Sequence, residues 1–86
     1  MTKDKRKTSV VFLIHNTDNQ HSDLFAFFPK IVEQNSVYMC YARNGQHSPC
    51  HIDYARESRL ATPEEYDPLR EELESLGYNL NILSKL

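Results

Sequence analysis

Between Ser9 and His15 the chain carries an unbroken apolar run, Val10-Val11-Phe12-Leu13-Ile14. It is too short for a core helix and rich in β-branched side chains, so it predicts a strand. Successive side chains of a strand point to opposite faces, so a run with no polar member needs cover on both. The rest of the 86 residues must supply that cover. A domain this small buries only ~60–65% of its unfolded surface, which makes cover scarce.

The other elements read from local signals. Asn16-Thr17-Asp18-Asn19-Gln20 is a polar turn, followed by a second strand over Asp23–Phe28 that Pro29 ends for want of an N–H. Lys30–Ser36 is a connection closed by Asn35-Ser36, and Val37–Arg43 is a third strand closed by an Asn44-Gly45 turn. Ser48-Pro49 predicts a short helical turn with Ser48 as N-cap, carrying Ile52 and Tyr54 inward; Arg56–Ala61 reads as extended. Thr62-Pro63-Glu64-Glu65 is a capping box with Pro at N1. The helix it opens carries one apolar stripe, Tyr66, Leu69, Leu73 and Leu76, and stops at Gly77. Pro68 distorts its first turn without splitting it. Tyr78–Leu83 returns as a strand with Leu80 and Ile82 facing in.

The expected fold is therefore α+β: a four-stranded, mainly antiparallel sheet with one principal helix on one face, in β-β-β-α-β order. Residues 1–8 read as a basic leader and 9–86 as one domain. The strand order 3-2-1-4 puts Val10–Ile14 in the interior.

Composition removes several function classes. The longest apolar stretch falls far short of the ~20 residues of a membrane helix, and no cleavage site follows it, so a cytoplasmic chain is expected. The first seven residues are net +3, whereas Glu57–Glu74 holds seven acids against two arginines. Outside the leader there is no basic face for nucleic acid. No Gly-rich phosphate loop occurs. The helix acids Glu64, Glu65, Glu71, Glu72 and Glu74 read as a solvated face, since one helix cannot oppose two carboxylates across a cleft.

From Phe28 to Leu80 the chain resembles a family of small, uncharacterised bacterial proteins. The residues that carry the resemblance are Phe28-Pro29, Cys40-Tyr41, Gly45-Gln46-His47-Ser48, Ala61-Thr62-Pro63-Glu64-Glu65-Tyr66, Leu69, Glu72-Leu73 and Gly77-Tyr78. The chain departs from the pattern at Pro68 and in the Lys30–Ser36 loop. The resemblance implies a fold, no established activity, and a lone accessory protein of the kind found in mobile cassettes.

Chemistry-bearing side chains gather in one stretch: Cys40, His47, Cys50 and His51. If Ser48–Tyr54 is helical, His47 and His51 share a face, and two thiolates with two imidazoles could hold zinc. The spacing lacks a C-x2-C pair, and the plainer reading is a core Cys40 with Gln46 and His47 bonding loop backbone. Cys50 near a helix start, flanked by His47 and His51 with Asp53 as orienting group, is a candidate nucleophile without an oxyanion hole to support it. Two cysteines in a cytoplasmic chain read as free thiols. No cofactor is implied. The abundant aromatics could stack single-stranded nucleic acid, but lack basic neighbours.

The leading functional expectation is a non-catalytic interaction module with a protein partner, contacting it through Phe25, Phe27, Tyr38, Tyr41, Gln46 and His47. The alternatives are a thiol- or metal-dependent enzyme on Cys50, His47 and His51, and a weak nucleic-acid binder. One helix covers one face, so a homodimer is expected to cover the other. The competing account folds Cys50–Leu60 over it, through Ile52, Tyr54 and Leu60.

Overall fold

The structure is a computed structural model that describes residues 7–16, 22–42 and 47–86. Most of the basic leader, the turn after Asn16, the Asn44-Gly45 turn and Gln46 lie outside the described residues. The elements run β1 (Thr8–Asn16), β2 (Ser22–Gln34), β3 (Val37–Ala42), β4 (His47–His51), α1 (Ile52–Arg56), β5 (Arg59–Leu60), α2 (Pro63–Ser75) and β6 (Leu80–Ile82). The fold is α+β with one largely antiparallel sheet ordered β4-β3-β2-β1-β5, and β6 pairs with β1 in parallel. Among the described residues there are thus six strands rather than four, and a second helix precedes the principal one. The apolar run lies in the interior, with β2 on one side and β5 and β6 sharing the other.

Two prolines explain most of the difference. Pro29 does not end β2. Pairing passes from Phe28↔Met39 to Val32↔Tyr38, so Pro29, Lys30 and Ile31 bulge out of register. A bulge asks no ladder bond of them, and the strand continues to the Asn35-Ser36 turn. Pro49 does not open a helix. It sits opposite Met39 in β4, the outermost strand, where a missing N–H is tolerated and blunts the open edge. The helix starts three residues later, and His51 caps it: its Nδ1 accepts from the Asp53 N–H at 3.1 Å.

α2 follows its local signals. The Thr62 N–H donates to Glu65 Oε1 at 2.8 Å, and the Glu65 N–H donates to Thr62 Oγ1 at 3.3 Å. Pro68 stays inside one continuous helix. At the far end Tyr78 N–H bonds the Leu73 carbonyl and Gly77 N–H the Glu74 carbonyl, with Gly77 at φ 106°. These are the two bonds of a Schellman stop, which turns the chain back toward β1. The apolar stripe is shorter than expected: Leu69 and Leu73 are buried, Tyr66 is half-buried, and Leu76 remains 56% exposed.

Both faces of the run are covered from within the chain. On one, Val10, Phe12, Ala26, Phe28 and Tyr41 pack under Leu69 and Leu73 of α2. On the other, Val11, Leu13, Phe25, Phe27, Cys40 and Cys50 pack with Ala55 of α1, flanked by Tyr38, Ile52 and Leu83. Tyr54 stacks on His15 at 4.2 Å and leans on Phe25 at 5.3 Å. Phe25 and Phe27 are only 5% and 1% exposed. The expected dimer rested on those rings lying in water, and that motive is gone. Each such side chain contributes roughly 1.5–3 kcal/mol when buried, so a five-residue helix secures a large share of the core.

Candidate functional site

The outer edge of β1 is divided between two short strands. β6 pairs with Thr8–Val10, and the Leu83 N–H bonds the Val10 carbonyl at 2.8 Å. β5 pairs with Leu13 and Ile14, and the Ala61 N–H bonds the Phe12 carbonyl at 2.9 Å. Neither strand spans the whole edge, so a concave recess opens between them. Its volume is about 330 Å³, and it is lined by Phe12, Leu60, Ala61, Pro63, Tyr66, Ile82, Leu83 and Ser84. The floor is aromatic: the Phe12 and Tyr66 rings stack with centroids 4.4 Å apart. The rim is apolar and open to water, with Leu60 44% and Ile82 38% exposed.

One ion pair holds the rim in place. Arg59 of β5 grips Glu65 of α2 with both guanidinium arms, at 3.0 and 2.8 Å. That contact and the Thr62 N–H hold the Glu65 carboxyl at about 2, against its usual 4.5. A carboxylate with a depressed folded-state pKa stabilises the fold above its unfolded value. The contribution is lost as pH falls from about 4.5 toward 2. Thermal unfolding of the wild type should therefore lose Tm across that window, and Glu65→Gln should lose less. Equal slopes for the two proteins would place the acid sensitivity elsewhere.

The sequence candidates fall on different surfaces. Tyr41 pairs with His47 and Val37 with His51 across β3 and β4, whereas Tyr38 pairs with Cys50 and Cys40 with Ser48. Because side chains alternate, His47 and His51 project to the α2 face and both thiols to the α1 face. The imidazoles share a strand face, not a helical one, and stand roughly 13 Å apart along it at ~3.3 Å per residue. No group of three or more His, Cys, Asp or Glu side chains suited to a metal occurs among the described residues. Asp53 lies beside His51 as part of the α1 cap and does not orient it toward Cys50. Both cysteines are free and buried.

Of the residues expected at an interface, Phe25, Phe27 and Tyr41 are buried and Tyr38 is half-buried, while His47 is exposed and Gln46 lies outside the described residues. Tyr41 and His47 belong instead to a clasp between the sheet and the end of α2. The Tyr41 hydroxyl donates to Glu72, and His47 Nε2 and the Tyr78 hydroxyl share a hydrogen bond of 2.8 Å. Donation to Glu72, with burial, pushes the Tyr41 phenol above its ordinary value. Glu72 is therefore not part of the solvated acidic face.

The recess was not legible in the sequence. Leu60 beside the capping box has no periodic partner, and Ile82, expected to face in by its alternation with Leu80, is 38% exposed at the mouth. Only the pairing of β5 and β6 with one strand brings them together.

No family model, curated protein or solved structure matches the chain. Among the described residues no helix is long and apolar enough to cross a membrane.

Proposed function

We propose that the chain is a small non-catalytic interaction module, and that it holds a protein partner by an apolar side chain inserted between β5 and β6. The observation that carries the reading is the recess itself: a preformed apolar hollow with a stacked aromatic floor and two exposed aliphatic side chains at its mouth. Its volume is at the small end of the ~300–1,000 Å³ of ligand cavities, a size suited to one anchoring side chain. It has few polar groups to orient a reacting substrate, which favours a binding role over catalysis. The thiol–imidazole enzyme loses support because its groups project to opposite faces of β4. Stacking of single-stranded nucleic acid loses support because Phe25, Phe27 and Tyr41 are buried. Accessory work in the cytoplasm by a single chain fits this reading.

The test compares three variants as bait in extracts of the source cells. Leu60→Glu and Ile82→Glu place a charge at the mouth, whereas Val32→Glu places one on the distant β2–β3 hairpin. All three positions are already exposed, so folding is preserved. Capture of a specific protein should fall roughly tenfold or more for the first two and persist for Val32→Glu, as hot-spot losses of ~2 kcal/mol imply. Capture unaffected by either groove variant, or no specific capture by the wild type, overturns the reading.

A further inference from the structure

We propose that Cys40 and Cys50 form a reversible dithiol–disulfide pair, oxidised by a small disulfide of the glutathione type. They are the only two cysteines of the chain, ten residues apart in sequence. The fold places them on adjacent strands, on the same face, one two-residue step apart: Cys40 lies opposite Ser48 and Cys50 opposite Tyr38. Both lie in the apolar cluster beneath α1, at 4% and 8% exposure. Core packing alone asks only for small apolar side chains here, and does not require two thiols to meet.

The two sulfurs are not equivalent. Cys40 sits on β3, between two strands, while Cys50 sits on the outermost strand with its Sγ 3.6 Å from the His51 carbonyl. The neighbouring Cys50 and burial together push the Cys40 thiol up, whereas Cys40 draws Cys50 down against its own burial. Cys50 is therefore the attacking group and Cys40 the resolving one. In the first step the Cys50 thiolate attacks one sulfur of glutathione disulfide, the S–S bond breaks, and a glutathione thiolate leaves. In the second, Cys40 gives up its proton and attacks the Cys50 sulfur, expelling the other glutathione. The two leaving thiolates take up the two protons released by the protein. One disulfide is reduced to two thiols as two protein thiols become one disulfide.

The resting register is not yet that of a bridge. Diagonal neighbours in an antiparallel pair have β-carbons roughly 7–8 Å apart or somewhat less, whereas a disulfide needs about 3.5–4.5 Å. β4 is built to close that gap: it has five residues, one neighbouring strand, and a proline at its centre. The closing movement is a local shift of Cys50 toward Cys40 on the face they share, with α1 left in place. Closure away from the resting position makes the bridge easy to reduce, as a switch requires. The site lies at the edge of the sheet opposite the recess, so its failure leaves the proposed binding surface untouched.

The test equilibrates the full chain without oxygen in glutathione buffers of graded thiol-to-disulfide ratio. Acid quenching, alkylation and intact-mass analysis follow. The expected product is a monomer lighter by two hydrogens, with Cys40 and Cys50 in one cross-linked peptide. It should reopen fully in excess reduced glutathione. Cys40→Ser should instead stop at a mixed disulfide of Cys50 with glutathione. Two alkylated thiols at every ratio, or wild-type product consisting of mixed disulfides or cross-linked dimers, overturns the proposal.

Discussion

Leu73→Ala should lower the unfolding free energy by about 2–5 kcal/mol, while Leu76→Ala, three residues along the same helix stripe, should change it by less than ~0.5 kcal/mol. Leu73 is fully buried against Phe12, Phe28 and their neighbours, and its carbonyl also receives the N–H that closes the Schellman stop. Removing its side chain leaves a cavity in the middle of the α2 face. Leu76 is 56% exposed and meets mostly water. For 86 residues the total stability is of order 4–13 kcal/mol, so the first substitution brings the domain near the unfolding threshold. Urea denaturation followed by circular dichroism measures both. Similar losses for the two leucines would mean that the stripe is buried over its full length.

Ala55→Arg should have a larger effect still, and of a different kind. Ala55 is the fully buried residue through which α1 lies flat on Phe25, Phe27 and Leu13. A guanidinium has neither room nor partners there, and forcing it in costs more than a five-residue helix can offset. α1 should lift off, leaving an apolar sheet face of the size that drives association. The variant should bind a hydrophobic dye strongly and sediment as dimers or larger species, while the wild type does neither. A monomeric, dye-silent Ala55→Arg protein would show that α1 is not what covers this face.

Features written into adjacent residues were legible in the sequence. The capping box of Thr62 and Glu65, the Gly77 stop and the interior placement of Val10–Ile14 depend on contacts a few residues away or on plain hydrophobicity. The prolines were misleading because a missing N–H suits several settings equally. Pro49 fits a helix N-terminus and an outermost strand alike, and pairing with Val37–Tyr41 decides between them. Pro29 fits a strand end and a bulge alike, and the register shift against β3 decides. α1 is too short to show a period, and its key side chain is an alanine, which carries little hydrophobic weight. The candidate residues met the same limit. The helical reading of Ser48–Tyr54 brought His47 and His51 together with Cys50. As a strand, the same letters send the imidazoles and the thiol to opposite sides. The recess needs β6 laid parallel to β1 by the return of the chain after α2, and no local pattern announces that.

The central claim is that the described residues cover both faces of the sheet from within one chain. Sedimentation equilibrium of the reduced wild-type protein, across a wide micromolar range, tests it most directly. The account predicts a single species near 10.1 kDa at every concentration. A mass that rises toward twice that value would contradict it, and would return the second face of the sheet to a partner chain.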